Sequence, residues 1–186
     1  MEKTRRKICV FCASAPSTPI EHVKLAEQFG KDLAVGGFDL VWGGCEAASM
    51  GALARGVQSG GGKVFGVILE RMLEEGLVYR SSDILYAEET LSARKQLMGE
   101  MADAFVVLPG GFGTLDEFAS RLAESIIDAK HGIQHKKIAV LNWERFYSDL
   151  VCFLEGLYAY RFADISYRDL YRILPDTQSV LEYLKE

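Results

Sequence analysis

Apolar residues fall along the chain in two kinds of segment that take turns. Short, almost unbroken apolar runs occur at "KICVFC" (7–12), "FDLVWGG" (38–44), "KVFGVIL" (63–69), "DILYAE" (83–88), "DAFVVLP" (103–109) and "KIAVLN" (137–142), with a brief "YRIL" (171–174) near the end. Runs of that length without polar alternation predict strands covered on both faces, as in a parallel sheet. Longer segments with helical spacing separate them. In "PIEHVKLAEQFGKDLAVGG" (19–37), Val23, Ala26, Phe29 and Leu33 recur near one face. Further helices are predicted over 46–62, 89–102, 114–132, 144–159 and 176–186.

Strands alternating with helices imply βαβ units. The expected fold is α/β: a single doubly wound, Rossmann-like domain over residues 1–186, with a mainly parallel sheet flanked by helices. No repeat, low-complexity tract or linker-like stretch interrupts the pattern. In such folds a ligand sits beyond the carboxyl ends of the strands. Three loops are expected at that edge: "ASAPST" (13–18), "GGCEAASMG" (43–51) and "PGGFGT" (109–114).

Composition narrows the function classes. With 186 residues and 49% hydrophobic content, the chain can bury a sizeable core. Its formal charge is −5 and no basic stripe stands out, which disfavours nucleic acid. No apolar run approaches the roughly 20 residues that span a bilayer. The basic opening "MEKTRRKICVFC" runs straight into a strand, so no secretion signal is expected. The four cysteines are Cys9, Cys12, Cys45 and Cys152. Cys9 and Cys12 have CxxC spacing, but residues three apart on a strand face opposite sides, so they read as structural thiols. Free buried thiols fit a reducing cytoplasm. The histidines, His22, His131 and His135, are scattered, and no metal site is expected.

The chemistry concentrates in "LPGGFGTLDEF" (108–118). Glycines remove Cβ atoms and let the amides of Gly110, Gly111, Phe112 and Gly113 turn toward one point. The helix that follows adds free N–H groups and the positive end of its dipole, together an anion cradle suited to phosphate. The loop is neither a Walker motif, which needs a following Lys, nor GxGxxG, whose third glycine is here Asp116. Thr114 and Glu117 match the T-x-x-E capping box, in which Glu117 would only bond back to the helix start. Alternatively its carboxylate faces another part of a ligand, such as ribose hydroxyls or a developing cation. Upstream, Arg94 and Lys95 form a basic pair: either a solvated face or ligand contacts. The aromatics Trp143, Phe146, Tyr147, Phe153, Tyr158 and Tyr160 read as core or dimer interface.

These residues carry a resemblance. "RKQLMGEMADAFVVLPGGFGTLDEF" (94–118), with its RK pair and PGGxGTxxE motif, resembles the LOG (LONELY GUY) family. So do "KICVFCASAPS", "VWGGCEAASMGALARGVQSGGGKVFGVI" and "HGIQHKKIAVLNWERFYSDLVCFL". Members are often labelled lysine decarboxylases, yet nothing in the sequence suggests pyridoxal phosphate chemistry. The resemblance implies a cytokinin-type nucleoside 5′-monophosphate phosphoribohydrolase without metal or redox cofactor, working as a homodimer with the site near the subunit interface. It implies Glu117 as the carboxylate that stabilises the ribosyl cation and activates water, and Arg94 as its essential partner. Gly110, Gly111, Gly113 and Thr114 would bind the 5′-phosphate. Gly43, Gly44, Met50 and Lys95 would line the nucleotide site, with Ser14 adding a contact.

Two departures bear on the base. A third glycine is usual where Cys45-Glu46 stands, and Met-His is frequent where Leu91-Ser92 stands. They leave the phosphate cradle intact and open the choice between AMP, a prenylated adenine nucleotide and another nucleotide. The alternative readings are a non-catalytic nucleotide or cofactor carrier on the same scaffold, and a dimerisation module with a vestigial loop.

Overall fold

A computed structural model describes residues 5–186; Met1–Thr4 of the basic opening lie outside the described residues. The strands are β1 (Arg6–Phe11), β2 (Phe38–Trp42), β3 (Val64–Leu69), β4 (Ile84–Glu88), β5 (Ala104–Val107), β6 (Lys137–Leu141) and β7 (Arg172–Leu174). The helices are α1 (Ile20–Val35), α2 (Ala48–Ser59), α3 (Glu70–Glu74), α4 (Leu91–Met101), α5 (Phe112–Lys130), α6 (Ser148–Ala159) and α7 (Thr177–Lys185). The seven strands form one sheet in the order β4-β3-β2-β1-β5-β6-β7, and every pairing is parallel. This is the doubly wound α/β arrangement the alternation predicts.

The side-chain period of two sorts the strands into two cores. Ile8 and Val10 pack with Phe29, Leu33, Leu53 and Leu184 on the face covered by α1, α2 and α7. Cys9 and Phe11 pack with Met98, Phe118 and Tyr147 on the face of α4 and α5. Cys9 and Cys12 therefore lie in different cores, on opposite sides of the sheet, and their CxxC spacing brings no two sulfurs together.

Helices α1 and α2 approach closely enough that backbone meets backbone. A Cβ on Gly56 would strike the carbonyl of Glu27, and one on Gly30 the carbonyl of Leu53. Neither obstacle can rotate away as a side chain would. Gly56→Ala is expected to cost about 1–3 kcal/mol, the range of overpacked cores, read as a lower melting temperature with the kinetics of any surviving protein unchanged.

Several elements depart from the sequence reading. Helix α3, directly after β3, has no counterpart in it. Helix α5 begins at Phe112, with Gly111 as N-cap, and not at Thr114. The aromatic helix begins only at Ser148, because Glu144 and Arg145 adopt φ 49° and 63° and turn Trp143–Arg145 into a separate 3-10 turn. Of the aromatics assigned to core or interface, Tyr147 is buried while Phe153 and Tyr160 are exposed. Among the described residues no helix is long and apolar enough to cross a membrane.

Candidate active site

Strand order reverses at β1: β2 to β4 lie on one side of it and β5 to β7 on the other. The crevice of a doubly wound sheet opens at that switch point, beyond the carboxyl ends of β1 and β5. A cleft of about 400 Å³ lies there. Its walls come from the three loops named above. The amide of Met50 donates to the carbonyl of Ala13 at 3.2 Å and ties the first loop to the second. Ser14, Gly43, Met50, Arg94, Gly111, Gly113, Thr114 and Glu117 all line this cleft; Gly44, Gly110 and Lys95 do not.

Its charged centre is one pair. Arg94 on α4 donates from Nη1 to Glu117 Oε1 on α5 at 3.0 Å, and from Nε to the carbonyl of Val67 at 2.8 Å. Each of the paired side chains is only 12% exposed, so water screens the pair poorly. Burial pushes the Glu117 carboxyl above the usual carboxylate range; the charge and hydrogen bond of Arg94 oppose that without cancelling it. The buried thiols of Cys9 and Cys12, one on each side of the sheet, are both driven up first by burial and then by the Glu117 charge. Glycine at 43 is required by this centre, since a Cβ there would occupy the space of Arg94 Nη2 and Met50 Cε.

The glycine loop supplies the second half. The first helical bond of α5 runs from the Leu115 amide to the Gly111 carbonyl, 3.0 Å. The amides of Phe112, Gly113 and Thr114 precede it and have no acceptor within the helix. At Gly111 φ is −93°, a value any residue adopts, and a Cβ at Gly111 or Gly113 would meet nothing within 4 Å. The fold itself makes no demand for glycine at either position. The missing Cβ atoms leave room beside open amides at a helix N-terminus, an anion site. At Gly110 the reason is internal: a Cβ would collide with the buried side chain of Thr114. Thr114 is thus the third residue of the helix and packs back on the loop, and no capping box with Glu117 forms.

Sequence reasoning missed several residues. Leu69 and Met72 join Leu91 in a largely apolar wall of the cleft; both depend on α3 and its junction with β3, which no periodicity announced. Tyr147 donates from its hydroxyl to the carbonyl of Leu108 at 2.8 Å, holding the end of β5 where the glycine loop begins. Asn142 Oδ1 fixes Tyr147 in turn by accepting its amide at 2.7 Å. Only a contact across 39 residues reveals that role. Of the two departures from the family pattern, Cys45 and Leu91 line the cleft, while Ser92 borders a separate hollow of about 630 Å³ between α4 and α5. Lys95 also borders that hollow, its ammonium held by Asp116 and Ser120. No group of three or more His, Cys, Asp or Glu among the described residues is arranged to hold a metal ion.

The family model described as "Possible lysine decarboxylase" matches residues 50–184, which include Arg94 and the glycine loop. The chain belongs to this family, the LOG family. Among LOG relatives, the probable cytokinin riboside 5′-monophosphate phosphoribohydrolase LOGL5 of Oryza sativa subsp. japonica is 37% identical over 81% of this chain, a match spanning 59% of that protein's length. The cytokinin riboside 5′-monophosphate phosphoribohydrolase LOG2 of Arabidopsis thaliana is 32% identical over the whole chain and 87% of its own length. Among solved structures, the molybdenum cofactor binding protein of Rippkaea orientalis superposes with a TM-score of 0.74 at 21% identity, covering 99% of this chain and 98% of that one. At that identity the likeness concerns the fold alone.

Proposed function

We propose that this LOG-family chain is a nucleoside 5′-monophosphate phosphoribohydrolase. It adds water across the N-glycosidic bond of AMP or a cytokinin-type nucleotide, giving the free base and ribose 5-phosphate. The observation that carries the reading is the buried Arg94–Glu117 pair opening on the same cleft as the free first turn of α5. The phosphoribohydrolase names of its LOG relatives support it. Residues 1–186 act in this proposal as one nucleotide-binding domain.

The phosphate dianion binds the amides around Gly111 and Gly113, with Gly110 and Thr114 shaping the loop. Glu117 lies four residues beyond Gly113, on the same face of α5 and about 6 Å along its axis. Helical side chains lean toward the N-terminus, so its carboxylate faces the sugar of a phosphate-anchored nucleotide. As the bond from the anomeric carbon to the base breaks, its electron pair stays on the base nitrogen and the ribosyl group becomes cationic. A fixed anion in a poorly hydrated cleft lowers that barrier. Glu117 then takes a proton from water as the oxygen joins the anomeric carbon, and that proton balances the one the leaving base acquires. Arg94 holds the carboxylate in one orientation. Ser14 and Gly43 complete the floor, with Gly44 behind it outside the cleft, and Met50, with the apolar wall, receives the base.

The working form of Glu117 is ionised, and its carboxyl is raised. Turnover therefore falls as pH drops through a value above the ordinary glutamate range. Arg94→Ala should lower kcat/KM by roughly 100-fold or more and shift that acid limb to higher pH. An unmoved limb or retained turnover removes the role given to Arg94. Incubation of the protein with AMP and with isopentenyladenosine monophosphate, followed by assay of free base and ribose 5-phosphate, tests the whole reading. Thermal stabilisation by these nucleotides without any ribose 5-phosphate would mark a carrier instead.

The proposal includes a cytoplasmic setting and a homodimer. Cys9, Cys12 and Cys45 are free and buried, in keeping with a reducing compartment. Phe153, Phe162 and Ile165, on and just after α6, are each at least 60% exposed, an apolar surface suited to a second copy. Light scattering on the eluting protein measures the assembly, and a monomer would remove the dimer from the proposal.

A further inference from the structure

The family motif writes Arg94 and Lys95 side by side, and adjacent residues on a helix point about 100° apart. Arg94 enters the cleft. Lys95 turns toward α5, where its ammonium meets Asp116 Oδ1 at 2.9 Å, Asp116 Oδ2 at 2.8 Å and Ser120 Oγ at 2.9 Å. Asp116 and Ser120 stand four apart on α5, one turn of the same face. An ammonium carries three protons and no acceptor. All three are committed to these oxygens, and none is free for a phosphate.

We infer that Lys95 is a positioning residue which clamps α4 to α5 and thereby sets the Arg94–Glu117 pair, rather than a contact to the nucleotide. The inference rests on the phosphoribohydrolase reading. Its basis is a two-rung ladder. Successive residues of α4, Arg94 and Lys95, meet successive residues of α5, Glu117 and Asp116, in two ion pairs at 3.0 and 2.8 Å. One rung lies in the cleft and is buried; the other lies outside it, with Asp116 55% exposed. The outer rung fixes the spacing and rotation of the helices that carry the inner one. It also neutralises Asp116, whose charge opposes ionisation of Glu117. The charged groups facing Glu117 are then Arg94 and Lys95 from α4 and Asp116 beside it, with the protonated thiols of Cys9 on β1 and of Cys12 just after it.

Lys95→Met should lower kcat by roughly 10- to 100-fold, leave KM for the nucleotide within about twofold, and move the acid limb of kcat to higher pH. Asp116→Asn, at an exposed position, should lower kcat with the same steady KM. The charge swap Lys95→Asp with Asp116→Lys restores the rung in reverse and should recover most of the lost kcat. A rise in KM with kcat retained would make Lys95 a substrate contact. Unchanged kinetics in Lys95→Met, or no recovery in a folded swap variant, would equally overturn the assignment. If wild type itself releases no ribose 5-phosphate, the phosphoribohydrolase reading fails, and the clamp is read from NMR titration of the Glu117 carboxyl. Lys95→Met should raise that titration; an identical titration in both proteins rejects the clamp.

Discussion

Glu117→Gln is expected to cut release of ribose 5-phosphate by roughly 1000-fold while the chain stays folded and still binds nucleotide. Glutamine keeps the size of the side chain and an oxygen that accepts from Arg94, now at 3.0 Å. Arg94 also retains its second acceptor, the Val67 carbonyl. What disappears, in the proposed mechanism, is the negative charge that meets the ribosyl cation and the base that takes the proton from water. Folding should change little, for a reason visible in the titration of the group. A carboxyl whose folded pKa is raised favours folding only while protonated, and that contribution is lost as pH rises through the folded value. Once ionised, Glu117 is therefore a cost to stability, which the proposed chemistry would require the fold to carry. Glu117→Gln should melt within a few degrees of wild type and lose the part of the pH dependence that this carboxyl contributes. Nucleoside monophosphates should still raise its melting temperature, because the loop proposed to grip phosphate is untouched. Equal base release by wild type and Glu117→Gln would sink the assigned chemistry.

That prediction depends on a residue named from sequence, and the sheet that positions it was legible as well. Unbroken apolar runs such as "VVL" at the end of β5 have no polar face to offer solvent, and the parallel pairings follow from that. The helix Leu91–Met101 was bracketed within two residues, and Thr90 caps it by accepting from the Ala93 amide. Illegible features share a cause: each depends on what lies across space. T-x-x-E is a capping box only if Thr ends the loop. Phe112, although 92% exposed, begins the helix, because Gly110 and Thr114 pack together and bring the turn forward. Lys95 follows Arg94 in sequence, yet helical rotation sends the two to different neighbours. Tyr147 sits in an aromatic run whose other members are partly exposed, and nothing local distinguishes the ring that props Leu108. The cleft's hydrophobic wall was hidden because Met72 belongs to a five-residue helix too short to show a period.

Two neighbouring glycines provide the sharpest separation of chemistry from stability. Gly43 is absent from the positive-φ residues, so an alanine fits its backbone. Its Cβ would instead enter the space of Arg94 Nη2 and Met50 Cε, two flexible ends that can move away. Gly43→Ala should therefore fold with a melting temperature near wild type, yet push the guanidinium off Glu117 and lower kcat/KM by roughly 100-fold, as expected of Arg94→Ala. Gly44 stands at φ +74°, and a Cβ there lies 3.1 Å from Ile68 Cβ, outside the cleft. Gly44→Ala should cost about 1–2 kcal/mol from the left-handed backbone alone, lowering the melting temperature by about 2–8 °C for a chain of this size, with turnover of the folded fraction largely kept. One variant loses activity without stability; the other loses stability without activity. Both quantities come from one purified pair, by calorimetry and by the ribose 5-phosphate assay. If Gly43→Ala turned over like wild type, the arginine could not be poised against Gly43 as described, and its hold on Glu117 would have to be abandoned.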